Sequence, residues 1–379
     1  MVPSLFIPLR TLERSNFCNF AFMKTQGIEY KAEAVDLLRK LIATPSVSRN
    51  EKEAADLMEQ ALTSYGFECK REANNVWAFG TRYVESRPTL LLNAHIDTVK
   101  PVDSWNRNPF EPAIEGDRLY GLGSNDCGGG LVSLLQAFRI LSMKPQLFNL
   151  IYLASAEEEV SGKNGISRAL PLLPQIDVAI VGEPTGLQPA TAEKGLMVLD
   201  VTAHGKSGHA ARGEGVNAIY KAADDLQWLR SYKFKKISQL LGPTIMNVTQ
   251  IEAGTQHNVI PDTCKMVVDV RTNELYDNEE VFRFIQQNLQ SEVTARSFRL
   301  RSSSIPHNHP LVKRCLEMGM KPFGSPTLSD EALMTCPAFK LGPGDSARSH
   351  SADEFVEISD IHRAIDVYTT LLDGIDIRF

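Results

Sequence analysis

The chain has 379 residues, 46 acidic against 40 basic, for a net charge of −6, which excludes the strongly basic face of a nucleic-acid binder. With 43% apolar and 23% charged residues it has a soluble globular balance and length for about two or three domains. No run reaches the roughly 18 apolar residues of a membrane-spanning helix. The cysteines, Cys18, Cys69, Cys127, Cys264, Cys315 and Cys336, form no close-spaced pair, so a cytoplasmic chain with reduced thiols is expected.

In chain order, Ser4 to Leu9 is apolar but broken by Pro8 and preceded by no basic stretch, which argues against a secretory signal. Residues 1–22 are read as an extension of unknown order, with the folded domain starting at Met23. From Tyr30 to about Ile180 helical and strand periods alternate. Ala34, Val35, Leu38 and Ile42, then Ala55, Leu57, Met58 and Leu62, recur at helical spacing, whereas 89–92, 150–153 and 178–181 are short apolar runs suited to buried strands. This predicts an α/β layer with a parallel or mixed sheet. From 195 to 304 the texture changes: strand 196–203, helix 216–229, strands 244–251 and 264–271, helix 279–289 and strand 297–303, a ferredoxin-like β-α-β-β-α-β unit inserted into the larger domain. Helical patterns resume at 311–318 and 361–372. The expected division is 1–22, 23–194, 195–304 and 305–379, with the second and fourth parts forming one domain.

Chemistry-bearing residues gather where strands end. His95 and Asp97 follow the run Leu90-Leu91-Leu92, at the strand edge where ligands of open α/β sheets bind. Two apart on an extended segment, they point the same way, and the carboxylate is placed to orient the ring; a turn-capping Asp beside a satisfied His fits H-x-D as well. Tyr120 to Gly130 is glycine-rich and opens a helix, with Asp126 near its start. A phosphate cradle would need G-K-[ST] or G-x-G-x-x-G with an acidic ribose partner, and neither is present; a capping Asp remains the plain alternative. Glu157, Glu158 and Glu159 end the strand 149–154 and would repel one another unless cations were present. Glu183 follows the strand 178–181, and His350 lies in a turn-rich segment beyond the insertion. Imidazole and carboxylate donors without thiolates suit catalytic zinc, or cobalt or manganese.

The ordered set H-x-D, G-x-G-S-N-D, E-E, G-E-P-T, S-G-H-A and a late His resembles the dinuclear zinc aminoacylase and deacylase family of metallopeptidases, over about 30–379. The resemblance implies a zinc-exopeptidase-like α/β catalytic domain with an inserted ferredoxin-like α+β lid that also forms a homodimer contact. It implies two Zn2+ ions, with His95, Asp126 and Glu183 on one side, Asp126 bridging, and Glu158 and His350 on the other. By the same carry-over Asp97 orients His95, Glu157 is the general base, Asp126-Cys127 holds a cis peptide bond, and His209 reaches the partner's active site to hold the substrate carbonyl. Asn258 and Arg271 match lid positions for a substrate carboxylate, although a salt-bridged strand Arg fits the latter nearly as well. No partner is seen for His204, His257, His307, His309 and His362, so surface or satisfied polar roles are expected.

The implied reaction is hydrolysis of an N-acylated amino acid. Gly182-Glu183-Pro184-Thr185 with Ala192-Glu193-Lys194-Gly195, and Gly342-Pro343-Gly344 ahead of His350 with Asp353-Glu354 after it, lean toward the acetylornithine deacetylase branch, with N-acetylornithine or N-acetylcitrulline as substrate and a place in arginine biosynthesis. The chain departs at Leu122 and at Cys127-Gly128. Arg212 and Arg348 add positive charge near His209 and His350, which makes an N-succinyl substrate an alternative. Succinyl-diaminopimelate desuccinylase, dipeptidase and carboxypeptidase activities are the competing readings within the family, and a noncatalytic binding protein on the same fold is the competing class.

Overall fold

The computed structural model describes residues 29–80 and 83–379; the extension expected over 1–22 and the start at Met23 lie outside them. A helix over 29–42 and the helix Lys52–Ser64 occur where apolar spacing predicts them. The main sheet runs, in spatial order, Cys69–Glu72, Asn75–Phe79, Asn149–Ser155, Thr89–His95, Val178–Val181, Ala338–Lys340, Ala190–Glu193 and Ser303–Ser304. Its centre is parallel: Thr89–His95 pairs that way with Asn149–Ser155 and Val178–Val181, and the latter with Ala338–Lys340. Antiparallel strands close both sides, so the expected α/β layer is a mixed sheet.

Parallel register positions the functional residues. His95 lies opposite Ser155, and Val181 opposite Asn93 and Lys340, so the chain leaves four neighbouring strands at one edge, just before 96–97, 156–159, 182–183 and 341–350. The helix Gly129–Ser142 covers this sheet, burying Leu131, Leu134, Leu135, Phe138 and Leu141, each worth about 1.5–3 kcal/mol on removal from water. The closing helix Ile358–Leu372 packs its Ile361, Ile365, Tyr368 and Leu372 face into the same core. Gly130 is required by this packing, since a Cβ there would stand 1.7 Å from the Gly182 carbonyl oxygen. The glycine-rich run thus lets a helix end approach the strand that carries Glu183.

A second unit has its own four-stranded antiparallel sheet, in the order Ile245–Ala253, Thr263–Arg271, Met197–His204 and Glu292–Ala295. The helices Ala218–Ser231 and Asn278–Asn288 complete β-α-β-β-α-β, and Leu199, Val201, Val268, Ile285 and Val293 belong to a separate apolar cluster. Buried and part-buried residues alternate along Met197–Ala203, as a half-buried strand requires. The last strand differs from the expectation of 297–303. The Asp225 carboxylate accepts the amides of Gln290 and Ser291 at 2.9 and 3.0 Å, so the chain turns soon after the helix and pairs at Glu292–Ala295. Residues 298 and 300 instead give their carbonyls to Asn278 Nδ2, and Ser303–Ser304 joins the main sheet. Among the described residues the five cysteines are free thiols, and no helix is long and apolar enough to cross a membrane.

Candidate metal centre

His95 ends its strand with the ring only 2% exposed. Its Nδ1 lies 2.9 Å from the Asp97 carbonyl oxygen, which fixes the ring and leaves Nε2 facing Asp126 Oδ1 at 3.3 Å, Glu183 Oε1 at 3.6 Å and Glu158 Oε2 at 4.0 Å. The ligand atoms of His95, Asp126 and Glu159 lie within 4.8 Å of one another, as do those of His95, Cys127 and Glu183. His350 closes the group from the far end of the sequence, its Nε2 2.8 Å from Glu159 Oε2 and 3.6 Å from Asp126 Oδ2.

Local backbone explains each approach. Asp126 lies within a wide turn, Ser124–Gly128, with φ −114° and ψ 99°, and the Asp126–Cys127 peptide bond is cis. Asp126 is therefore not a helix cap; its carboxylate is directed at the two histidines. Glu157 has a left-handed backbone, φ +53°, which interrupts the strand alternation. Its carboxylate turns to Asn164, accepting from the amide at 3.2 Å and Nδ2 at 2.9 Å. The expectation of Glu157 facing the reaction and Glu158 beside His350 is thus shifted by one residue: Glu158 faces His95, and Glu159 meets His350. The Asp97 carboxylate accepts from the Glu158 amide at 3.0 Å, the Glu159 amide at 3.2 Å and Ser48 Oγ at 2.7 Å. Asp97 thus steadies His95 through its carbonyl and the acidic loop through its side chain.

Electrostatics follow from this crowding. Burial, together with the Asp126 charge, pushes Glu183 up to about 8. Burial, with Glu183, Asp330 and Glu159 nearby, raises Glu158 well above the usual carboxylate range. Asp126 is lowered, its burial outweighed by His95 hydrogen bonding and charge. The Glu159 hydrogen bond raises His350 to about 9. Glu183 Oε1 is sealed from solvent without a hydrogen-bond partner among the described residues, an arrangement costly unless a cation neutralises it. Together with the imidazole and carboxylate donors, that orphaned oxygen fits a zinc-type divalent centre.

The structure brings His95, Asp126, Glu158, Glu183 and His350 together, with Asp97 beneath them. It does not bring in Glu157. Among the described residues, His209, Arg212, Asn258 and Arg271, all on the second unit, form no hydrogen bond or ion pair with the cluster. His209 pairs in register with Val259, next to Asn258, and is exposed. Arg271 gives its guanidinium to Asp269 at 2.9 and 3.1 Å. Arg348 lies 4.2 Å over the Phe355 ring and 3.9 Å from Glu357, so it is engaged away from the cluster. Sequence reasoning missed four residues. Glu159 was visible only as the third of three identical carboxylates. The Cys127 thiol, pushed up to about 12 by burial, contacts the His95 backbone. Asp330 accepts from Ser155 Oγ at 2.6 Å. Glu354 lies behind Asp126; the sequence offers Asp353-Glu354 only as a flank of His350 that leans toward one branch of the family, with no role in the site. Of the five histidines expected to be surface or satisfied polar groups, His309 is a buried helix cap whose Nδ1 accepts from the Leu311 amide.

Residues 91–374 match the family described as Peptidase family M20/M25/M40. Among curated relatives, acetylornithine deacetylase of Pectobacterium carotovorum subsp. carotovorum is 30% identical over 359 residues, covering 85% of this chain and 92% of the relative. Succinyl-diaminopimelate desuccinylase of Corynebacterium glutamicum is 29% identical, covering 88% and 95%. Among solved structures, an M20 family metallo-carboxypeptidase from Sulfolobus solfataricus superposes with a TM-score of 0.70 at 21% identity, covering 90% of this chain and 98% of that one. A dinuclear metal binding peptidase of the family from Bacillus subtilis also reaches 0.70, at 17% identity and with 92% and 99% covered. With the match spanning most of the chain, this protein belongs to the M20/M25/M40 peptidase family and is a metal-dependent hydrolase acting on amides.

Proposed function

We propose that the chain is a zinc-dependent N-acyl-amino-acid deacylase. The observation that carries this reading is the cluster itself: His95, Asp126 and Glu183 face Glu159 and His350 across the shared Asp126, with the Glu158 carboxyl beside them. In this reading His95, Asp126 and Glu183 would hold one divalent cation and Asp126, Glu159 and His350 a second, zinc first, with cobalt or manganese as alternatives. Such ions polarise an amide carbonyl and make a bound water more acidic. Glu158 replaces Glu157 as the general base. Among the described residues its carboxyl makes no hydrogen bond of its own, while its amide is pinned by Asp97, so it is held in place yet free to take a proton from water and return it to the leaving amine.

The preferred substrate is N-acetylornithine or N-acetylcitrulline, which would place the enzyme in arginine biosynthesis; the relatives named acetylornithine deacetylase support it. The relatives named desuccinylase, at 26–29% identity, keep an N-succinyl substrate as the second reading. A homodimer through the second unit is part of the proposal. Ile245–Ala253 is an edge strand with Ile245 and Ile251 exposed, Tyr220 is 74% exposed, and His209 is exposed with its Nδ1 accepting from the Ala211 amide at 3.2 Å. Open edges of this kind invite pairing, and His209, with Asn258 and Arg212 beside it, would then serve the partner's substrate.

The test is kcat/KM of zinc-loaded enzyme for N-acetylornithine, N-acetylcitrulline, their N-succinyl analogues, N-succinyl-diaminopimelate and dipeptides. The acetylated substrates are expected to lead. Preference for a dipeptide would overturn the substrate assignment, and no turnover of any amide would favour a binding protein.

A further inference from the structure

Glu354 stands four residues after His350 in the chain and is 2% exposed. Its carboxylate accepts three backbone amides from a single loop: Asn125 at 2.8 Å and Asp126 at 2.9 Å on Oε1, and Gly123 at 3.0 Å on Oε2. Its own carbonyl accepts the Gly121 amide at 3.0 Å. The neighbouring Asp353 binds the Asn106 amide and Nδ2 and the Arg107 amide at 3.0, 2.6 and 3.2 Å. The following strand, Phe355–Glu357, pairs with Arg118–Tyr120. From the other side, Asn125 exchanges two hydrogen bonds with the Asp345 backbone, at 2.9 and 3.0 Å. The segment that presents His350 is therefore fastened to the turn that presents Asp126, across more than two hundred residues of sequence.

Hydrogen bonds from several amides converging on one buried carboxyl group are directional and costly to leave unmade. Here they fix the turn in which Asp126 has non-helical dihedral angles, with a cis bond on its far side. We propose that Glu354 is a positioning residue: it holds the Asp126 carboxylate where both His95 and His350 meet it, and thereby sets metal affinity and turnover without touching substrate. This rests on the metal reading of the cluster and extends it to a group outside the ligand set.

The variants are Glu354→Gln, which keeps shape but turns one acceptor into a donor facing an amide, and Glu354→Ala, which removes all three acceptors. Asp225→Asn is the control, because Asp225 is equally buried and accepts two amides in the second unit. Each full-length protein is titrated with Zn2+ against a chromophoric chelator, assayed for kcat and KM at saturating zinc, and followed by hydrogen exchange at residues 123–126. Glu354→Gln is expected to lose about 10- to 100-fold in zinc affinity, the range for groups that orient ligands. Its kcat should fall while KM holds, and the Gly123, Asn125 and Asp126 amides should exchange faster. Asp225→Asn should lower thermal stability and leave zinc uptake alone. Should the alanine variant fail to fold, the glutamine variant alone decides. Wild-type zinc affinity and kcat in Glu354→Gln would overturn this inference, with the metal reading intact; a wild-type chain that takes up no zinc would overturn both.

Discussion

Three adjacent glutamates at the end of Asn149–Ser155 make divergent predictions when removed one at a time. Glu157→Ala deletes two hydrogen bonds, to the Asn164 amide and Nδ2 at 3.2 and 2.9 Å. Bonds to an ionised acceptor are worth about 1.5–3 kcal/mol each, and relaxation of the short loop that follows brings the expected loss of stability to about 2–4 kcal/mol. Zinc content and kcat of the folded fraction should change less than about tenfold, because nothing that meets substrate is removed. Glu158→Gln should keep its zinc and lose about 10²- to 10⁴-fold in kcat, the scale of a positioned general base. Glu159→Ala removes the partner of His350 at 2.8 Å and should weaken zinc binding by more than the about 10- to 100-fold typical of groups behind the ligands. The assay is zinc content by atomic absorption, urea unfolding and deacetylation of N-acetylornithine on the same preparations. A Glu157→Ala variant with unchanged stability, full zinc and a kcat at least about a hundredfold lower would refute the reasoning and make Glu157 the base.

Two further outcomes concern stability. His309 caps the helix Pro310–Glu317, with Nδ1 accepting from the Leu311 amide at 3.2 Å, and burial lowers its pKa from 6.5 to about 4. Between those values the unfolded chain binds the extra proton, so the stabilising contribution is whole above pH 6.5 and declines with acid, by about 1–2 kcal/mol at pH 5. Urea unfolding at pH 7 and pH 5 should show that much less acid loss in His309→Asn, which keeps a capping acceptor but does not titrate; equal losses in both proteins would contradict it. Lys340, 2% exposed, pairs with Glu193 Oε2 at 3.0 Å. Lys340→Met strands a buried carboxylate and should cost about 3–5 kcal/mol, read by the same unfolding experiment; a loss below about 1 kcal/mol would mean that Glu193 is already neutral.

Periodicity alone was enough to locate the α/β layer, the inserted β-α-β-β-α-β unit and the strand ends at which His95 and Glu183 stand, because burial on a sheet writes itself into alternation and short apolar runs. Asp126 and His350 enter as donors to a common centre only through the family resemblance, since a capping Asp fits the glycine-rich run as well. Three things needed the folded chain. The last strand of the inserted unit moved to Glu292–Ala295 because Asp225, some 65 residues earlier, takes the amides that follow the helix. Which of three identical carboxylates face His95 and His350 depends on one left-handed residue, Glu157, since a single φ of that sign reverses the side on which the following residues emerge, and nothing in Glu157-Glu158-Glu159 announces it. The Glu354 clamp on the Asp126 turn exists only once Phe355–Glu357 has paired antiparallel with Arg118–Tyr120, residues more than two hundred positions apart. Sequence determined the inventory of donors and the strands that carry them, because both are local properties of composition and period. Only tertiary structure decided their facing and their supports, because those depend on hydrogen bonds between residues far apart in the chain.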